Sequence, residues 1–160
     1  MKKIDYNGQL LCEYQAKLFE KSYELNYSSS KFIAKFLKTD LNRILDEGYS
    51  VFLPLDVNEG IDEIRSKRVR FMDKKDKYSK DSLFWMGYMY RYICYTREQS
   101  LSFVMKLFKH QQMNSVYYDY HTQDPEWCIS NLLELNGLDE NIFDNNYRLK
   151  KIMKERGFLG

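Results

Sequence analysis

His121 is the best candidate in this sequence for acid–base chemistry. An imidazole exchanges a proton near neutral pH, and it becomes a useful acid or base when a carboxylate orients it. Asp124 lies three residues further along the chain and could supply that carboxylate. Three tyrosines lie just before the histidine, at Tyr117, Tyr118 and Tyr120. The alternative, which we favour, is that the ring forms hydrogen bonds to the backbone in the turn before the next helix.

No other group of side chains has the spacing that catalysis or metal binding requires. His110 and His121 are the only histidines, and neither stands at metal-ligand spacing from a second ligand. The sequence has no HExxH, glycine-rich phosphate loop or GxSxG motif. Adjacent carboxylates such as Asp62 and Glu63 point in different directions on a helix and form no obvious dyad. We therefore predict a protein that is not an enzyme and holds neither a metal nor a cofactor.

The strongest structural signal is a band of apolar and aromatic residues over 83–95, interrupted only by Gly87 and Arg91. A helix that is apolar nearly all round is one that other helices pack around, and Ser79 is placed to cap it. Gly87 costs about 1 kcal/mol relative to alanine inside a helix, so we expect a second helix or a bulky ring to approach it closely. Arg91 is either a surface side chain or a buried anchor paired with a carboxylate.

The composition indicates a single all-α domain spanning residues 1–160, with about seven or eight helices. Hydrophobic residues make up 44% of the chain, and two prolines with seven glycines leave few breaks for an all-β fold. The net charge of +2 is too small to indicate nucleic acid by itself. Cys12, Cys94 and Cys128 are widely separated, so we expect reduced core cysteines in a cytoplasmic protein. Neither a signal peptide nor a membrane span is expected.

Hydrophobic periodicity predicts the remaining helices. They run over about 9–25, 30–38, 39–48, 58–69, 125–135 and 144–156. Asp124 and Pro125 form the clearest helix start, since Asp caps well and Pro suits the first helical position. The Thr96–Gln99 sequence has the form of a capping box and predicts that another helix starts there. Two segments stay open: 111–120 is a short helix or an aromatic loop, and Val51–Leu55 is a strand or an extended connection.

Residues 67–80 form the strongly basic segment of the sequence. Its cations are Lys67, Arg68, Arg70, Lys74, Lys75, Lys77 and Lys80, against Asp73 and Asp76. Such a run is most often a solvated loop, and it could also contact phosphates. A nucleic-acid-binding regulator that uses this segment, together with the basic helix near the C-terminus, is therefore the alternative function. Residues 83–108 could form a helix-turn-helix, but its second helix would expose few polar or basic residues. This pattern therefore gives the nucleic-acid-binding function little support.

Three stretches together resemble a family of small, all-helical bacterial proteins. They are the aromatic run Leu83–Tyr95, the turn Thr96–Ser100 and the segment Tyr117–Glu126. Members of this family tend to be encoded in neighbourhoods that resemble toxin–antitoxin modules, some beside ADP-ribosyltransferase-like toxins. The resemblance covers residues 78–135 and implies a cytoplasmic, non-enzymatic, antitoxin-like role. It implies no catalytic residues.

We therefore predict a protein-interaction module that neutralises or regulates a partner protein by binding it, with a toxin as one candidate partner. Tyrosine suits contact surfaces because it combines a large apolar area with a polar tip. The predicted partner-binding residues are Tyr88, Arg91, Tyr117, Tyr118, Tyr120 and His121. The other two functions are the nucleic-acid-binding regulator and, least favoured, an enzyme centred on His121.

Overall fold

The computed structural model describes residues 1–65 and 76–157. Within these ranges the regular elements are α-helices and 3₁₀ turns, which confirms the predicted all-α class. The helices are α1 (Tyr6–Glu24), α2 (Ser29–Phe36), α3 (Asp40–Glu47), α4 (Val57–Arg65), α5 (Lys80–Arg97), α6 (Leu101–Leu107), α7 (His110–Tyr120), α8 (Pro125–Leu135) and α9 (Asn145–Glu155). These described ranges thus hold nine helices where seven or eight were expected, because residues 111–120 belong to the regular helix α7.

The chain divides into two compact units, Met1–Thr122 and Gln123–Gly160. The first unit contains α1 to α7 and a 3₁₀ turn at Ser50–Phe52. The second unit contains α8, α9 and a 3₁₀ turn at Glu140–Phe143. The prediction of one domain over all 160 residues stays a prediction.

α5 is the central helix of the first unit, as the apolar band predicted. It packs along α1 and also contacts α3, α6 and α7. Leu83, Met86 and Ile93 on its inner side are completely buried. Gly87 allows the close approach to α1, because a Cβ at this position would lie 2.8 Å from the main-chain oxygen of Gln15. The close contact expected at Gly87 is therefore confirmed.

A cluster of phenylalanine rings fixes α2 against α1. Phe19 of α1 meets Phe32 and Phe36 of α2 edge to face, with ring centroids 5.5 and 5.6 Å apart. All three rings are completely buried, and edge-to-face pairs add to the free energy gained by burial alone. The cluster therefore stabilises α1, the helix along which α5 packs.

The two ends of α5 test two capping predictions. Ser79 caps the N-terminus as predicted, since its hydroxyl accepts a hydrogen bond of 3.1 Å from the amide of Ser82. The prediction that Thr96–Gln99 forms a capping box at the start of the next helix is wrong. Thr96 is still inside α5, where its hydroxyl donates to the carbonyl oxygen of Tyr92 at 2.7 Å. The next helix is capped by Ser100, whose hydroxyl accepts from the amide of Phe103 at 3.2 Å.

The segment Val51–Leu55, which the sequence left open, is not a strand. Residues Ser50–Phe52 form a 3₁₀ turn, and Leu53 after it is extended. Pro54 lacks a backbone N–H and so cannot contribute a donor to a sheet. The segment is therefore an ordered turn followed by a short connection to α4.

In the second unit, α8 starts where the sequence predicted. Asp124 accepts a hydrogen bond of 2.9 Å from the amide of Glu126, and Pro125 occupies the first helical turn. Gly137 follows the helix with a φ of +65°, a left-handed conformation that glycine adopts without a steric penalty. Ile129 and Leu132 on α8 are completely buried.

The three cysteines are free thiols in buried positions, as predicted. Burial raises the pKa of Cys12 and of Cys94 to about 12, and that of Cys128 to about 11. Their reactive thiolate form is therefore disfavoured at neutral pH. Among the described residues, none of the helices is both long and apolar enough to cross a membrane.

Candidate functional site

Side chains of α5 and α7 form a surface of rings on the first unit, which we call the aromatic surface. It comprises Trp85, Tyr88, Tyr117, Tyr118 and His121. Trp85 meets Tyr117 edge to face, with ring centroids 5.9 Å apart, and so joins the two helices. Tyr118 is the most exposed tyrosine of this surface, with 82% of its surface exposed. Trp85, Tyr88 and Tyr117 are half-buried.

His121 is held at the end of α7 by its own helix. Its Nδ1 lies 3.0 Å from the carbonyl oxygen of Tyr117 and 2.9 Å from that of Tyr118. Because carbonyl oxygens only accept, Nδ1 carries the proton and donates it. The imidazole also stacks on the Tyr117 ring, with centroids 4.6 Å apart and an angle of 29° between the planes. The favoured alternative, a ring bonded to the backbone, is therefore confirmed.

The contacts around His121 do not form an acid–base pair. Within the described residues, the hydrogen bonds of its ring go to backbone carbonyls and not to a carboxylate. Asp124, the candidate orienting group, uses its carboxylate to cap α8. The ring is positioned for packing and for contact with solvent, and a role in catalysis gains no support from this geometry.

Arg91 is not on the surface, and the prediction that it contacts a partner is wrong. The residue is only 1% exposed. Its guanidinium donates to Asp46 Oδ1 at 2.7 Å, to the Gln15 side-chain oxygen at 2.8 Å and to the Asn42 side-chain oxygen at 2.9 Å. Of the two alternatives for Arg91, a surface side chain or a buried anchor, the structure shows the buried anchor. Arg91 connects α5 to α1 and α3. Its charge is used inside the first unit.

Tyr120 is also unavailable to a partner, so this second contact prediction is wrong. It is 9% exposed. Tyr120 lies seven residues after Met113, which is completely buried, so both side chains fall on the inner face of α7. The helical period places Tyr118 on the opposite, exposed face. Tyr88, Tyr117, Tyr118 and His121 therefore remain from the predicted set.

Trp85 belongs to the aromatic surface and was missed as a contact candidate. The signal that could have found it is its spacing, since Trp85 and Tyr88 are three residues apart and share one face of α5. Tyr92 continues this face, with its ring stacked 6.5 Å from that of Tyr88. Tyr92 is only 7% exposed, so it supports Tyr88 from the interior, and the part of the aromatic surface on α5 consists of Trp85 and Tyr88.

Most of the basic segment lies outside the described residues. This applies to Lys67, Arg68, Arg70, Lys74 and Lys75. Lys77 is described, and its ammonium group donates to the Asn26 side chain at 2.9 Å and lies 3.9 Å from the centre of the Tyr23 ring. Lys80 forms an ion pair of 3.1 Å with Glu24. These two lysines therefore contact the C-terminal end of α1 and the residues just after it.

A polar cavity of about 240 Å³ lies beside the buried Arg91. Asp46 and Lys2 contribute to its lining. The buried Arg91 and the partly exposed Asp46 already bind each other, and the Asp46 carboxylate also accepts from the amide of Leu101 at 3.0 Å. Across residues 1–65 and 76–157, no group of three or more His, Cys, Asp or Glu side chains is arranged to hold a metal ion.

Comparisons with protein-family models, with curated proteins and with solved structures found no match to this chain. The family resemblance of residues 78–135 therefore stays a prediction.

Proposed function

We propose that this chain is a non-enzymatic protein-interaction module that binds a partner protein through the aromatic surface. The observation that carries the proposal is Tyr118, a ring that is 82% exposed at the edge of a cluster of half-buried rings. Tyrosine and tryptophan are enriched among the residues that dominate binding energy at protein interfaces.

The rings of this surface are already oriented before a partner arrives. Trp85 supports Tyr117, and Tyr117 in turn stacks on His121. The imidazole is fixed by its hydrogen bonds to two main-chain carbonyl oxygens of α7. Side chains that lose little conformational freedom on binding leave more of the contact energy for affinity.

The antitoxin-like role is the specific form of this proposal. It is supported by the resemblance of residues 78–135 to proteins encoded near toxin-like genes. In this form the partner is a cytoplasmic toxin, and binding of the aromatic surface neutralises it.

The test starts with capture of partners from the native host, at about 150 mM salt and again at high salt. A single stoichiometric protein that stays bound in both is then purified and titrated with Tyr118→Ala. We expect this variant to weaken binding by about tenfold or more, which corresponds to about 1.4 kcal/mol.

Tyr6→Ala is the matched control, because Tyr6 is a comparably exposed tyrosine on α1, at 76%. Its affinity should equal that of the unchanged chain. Equal affinities for Tyr118→Ala and the unchanged chain would contradict the proposed surface. If nucleic acid alone is recovered, and only at the lower salt, the result would favour the nucleic-acid-binding regulator over the protein-interaction module.

A further inference from the structure

The stretch from Asp46 to Ile64 is acidic throughout. It contains six carboxylates and no lysine or arginine, in a chain whose net charge is +2. The carboxylates are Asp46, Glu47, Asp56, Glu59, Asp62 and Glu63. A one-sided charge of this kind selects binding partners of the opposite sign and speeds their approach.

Four large apolar side chains of the same stretch are turned to solvent. The exposed fractions are 60% for Tyr49, 83% for Val51, 63% for Phe52 and 101% for Leu55. We call Tyr49–Leu55 the apolar loop. Single exposed apolar residues are ordinary, whereas several together in one short loop are typical of interaction sites.

The apolar loop has a defined shape. The side chain of Asn7 fixes its start, because it donates to the carbonyl oxygen of Gly48 at 2.7 Å and accepts from the amide of Ser50 at 2.9 Å. The amide of Phe52 donates to the carbonyl oxygen of Tyr49 at 3.2 Å, and the two rings meet edge to face. The apolar groups are thus presented in one arrangement before binding, which lowers the entropy cost of association.

The carboxylates fall into two groups with different roles. Asp46 and Glu47 form ion pairs with Arg91 and Arg43. Glu63 accepts a hydrogen bond from the amide of Leu41 at 3.2 Å. These three carboxylates therefore have partners within the first unit.

Asp56, Glu59 and Asp62 form the second group. All three are exposed, and none is in an ion pair within the described part of the chain, although Asp56 accepts a hydrogen bond of 2.9 Å from the amide of Asn58. On α4 the buried positions are Gly60, Ile61 and Ile64, so Glu59 and Asp62 lie on its outer face. The outer face of α4 therefore adds exposed negative charge next to the apolar loop.

We propose that the apolar loop and the outer face of α4 form a docking surface for a basic protein segment. That segment carries apolar side chains for the loop and lysine or arginine for the three exposed carboxylates. Nucleic acid and anionic membranes are repelled by this negative charge, so the chemistry of the surface favours a protein partner. The surface is separate from the aromatic surface, and it stands whether or not the aromatic surface binds anything.

The experiment uses the full chain, immobilised, and a phage-displayed library of random peptides as the probe. Enriched peptides are synthesised, and their affinity is measured by fluorescence anisotropy. We expect the enriched peptides to combine apolar residues with an excess of lysine and arginine. Leu55→Ser should weaken their binding by about tenfold or more. Glu59→Lys combined with Asp62→Lys should weaken it and reduce its salt dependence.

Leu55→Ser should leave the helical circular dichroism and the urea midpoint unchanged, because the Leu55 side chain is fully exposed. Tyr118→Ala is the matched control and should bind the peptides as the unchanged chain does. Enriched peptides without a basic excess, or equal binding to Leu55→Ser, would overturn the proposal. Two further results would overturn it: self-association of the chain that Leu55→Ser abolishes, and binding to phosphatidylserine vesicles that Leu55→Ser abolishes.

Discussion

The side-chain amide of Gln15 donates a hydrogen bond of 2.9 Å to the main-chain carbonyl oxygen of Gly87, at the point where α1 and α5 lie closest. Both groups are buried. The oxygen of the same amide accepts from Arg91 Nε at 2.8 Å. Gln15 thus connects the backbone of α5 to the buried guanidinium of Arg91, and the close approach of the two helices depends on Gly87 having no side chain.

We predict that Gly87→Ala destabilises the protein by about 1 kcal/mol. Alanine gains about 1 kcal/mol in helix propensity. Against this, its Cβ would lie 2.8 Å from the main-chain oxygen of Gln15 and 3.0 Å from the Cα of Ala16. Backbone atoms of a packed helix do not move aside cheaply, and overpacking costs about 1–3 kcal/mol or more. The measurement is the free energy of unfolding in urea, and an unchanged or raised midpoint would refute the prediction.

We predict a larger loss for Arg91→Met, about 3 kcal/mol or more. Removing the guanidinium takes the counter-charge from Asp46 and removes the donor to the side-chain oxygens of Asn42 and Gln15. The stability of Arg91→Lys should lie between that of Arg91→Met and that of the unchanged chain. An ammonium group keeps the charge but cannot reproduce the planar, forked hydrogen bonds of a guanidinium. Affinity for a captured partner should be the same for Arg91→Lys and the unchanged chain. A loss of affinity without a loss of stability would return Arg91 to the contact surface.

Local sequence signals predicted the parts of the fold that depend on neighbours in the chain. Ser79 and Asp124 act as caps, and Gly87 is the site of a close helix contact, as expected. The partners of Arg91 could not be predicted in the same way. They lie 45 to 76 residues away in the sequence, and no local pattern encodes which distant oxygens meet a guanidinium.

The candidate site shows the same limit. The sequence grouped three tyrosines at 117, 118 and 120, but the helical period of α7 turns Tyr118 outward and Tyr120 inward. Because the sequence allowed either a helix or a loop over 111–120, it could not show which of these tyrosines face solvent. The apolar loop was missed for a related reason. Its apolar residues look like a buried segment until the fold shows that nothing in the described part covers them.

We predict that Tyr14→Phe stabilises the protein by about 1 kcal/mol. The Tyr14 hydroxyl is buried, and within the described residues it has no hydrogen-bond partner. Burial, together with the nearby carboxylates of Glu59, Glu63 and Asp56, raises its pKa to about 12. An unsatisfied buried hydroxyl costs about 1–3 kcal/mol, so replacing it with a hydrogen should recover part of this cost.

Tyr90→Phe is the matched control for that prediction. The Tyr90 hydroxyl is also buried, but it donates to the carbonyl oxygen of Phe108 at 2.6 Å. Its removal leaves a buried carbonyl unpaired, so stability should fall by about 1 kcal/mol or more. The two variants should shift the urea midpoint in opposite directions. A loss of stability in both would mean that the Tyr14 hydroxyl is satisfied.

The last prediction concerns pH and the contact between Tyr78 and His110. The Tyr78 hydroxyl lies 2.6 Å from Nδ1 of His110. Burial lowers the pKa of His110 below its ordinary value of 6.5, Asp76 opposes this shift, and Lys109 adds to it. The folded protein therefore prefers the neutral imidazole, and the unfolded chain takes up a proton first as the pH falls. The stability from this group is complete above pH 6.5 and declines as the pH falls through the lowered pKa.

We expect the urea midpoint to fall between about pH 7.5 and about pH 5.5, and to fall less in His110→Gln. Asp76 does not mimic this effect. Its pKa is lowered from 3.8, chiefly by the hydrogen bond from the Ser28 hydroxyl, so its stabilisation is complete above that value and is lost in more acid solution. The difference in urea midpoint between the unchanged chain and His110→Gln over this pH range therefore reports the contribution of His110. Parallel midpoints for the two proteins, or a rise as the pH falls, would rule the mechanism out.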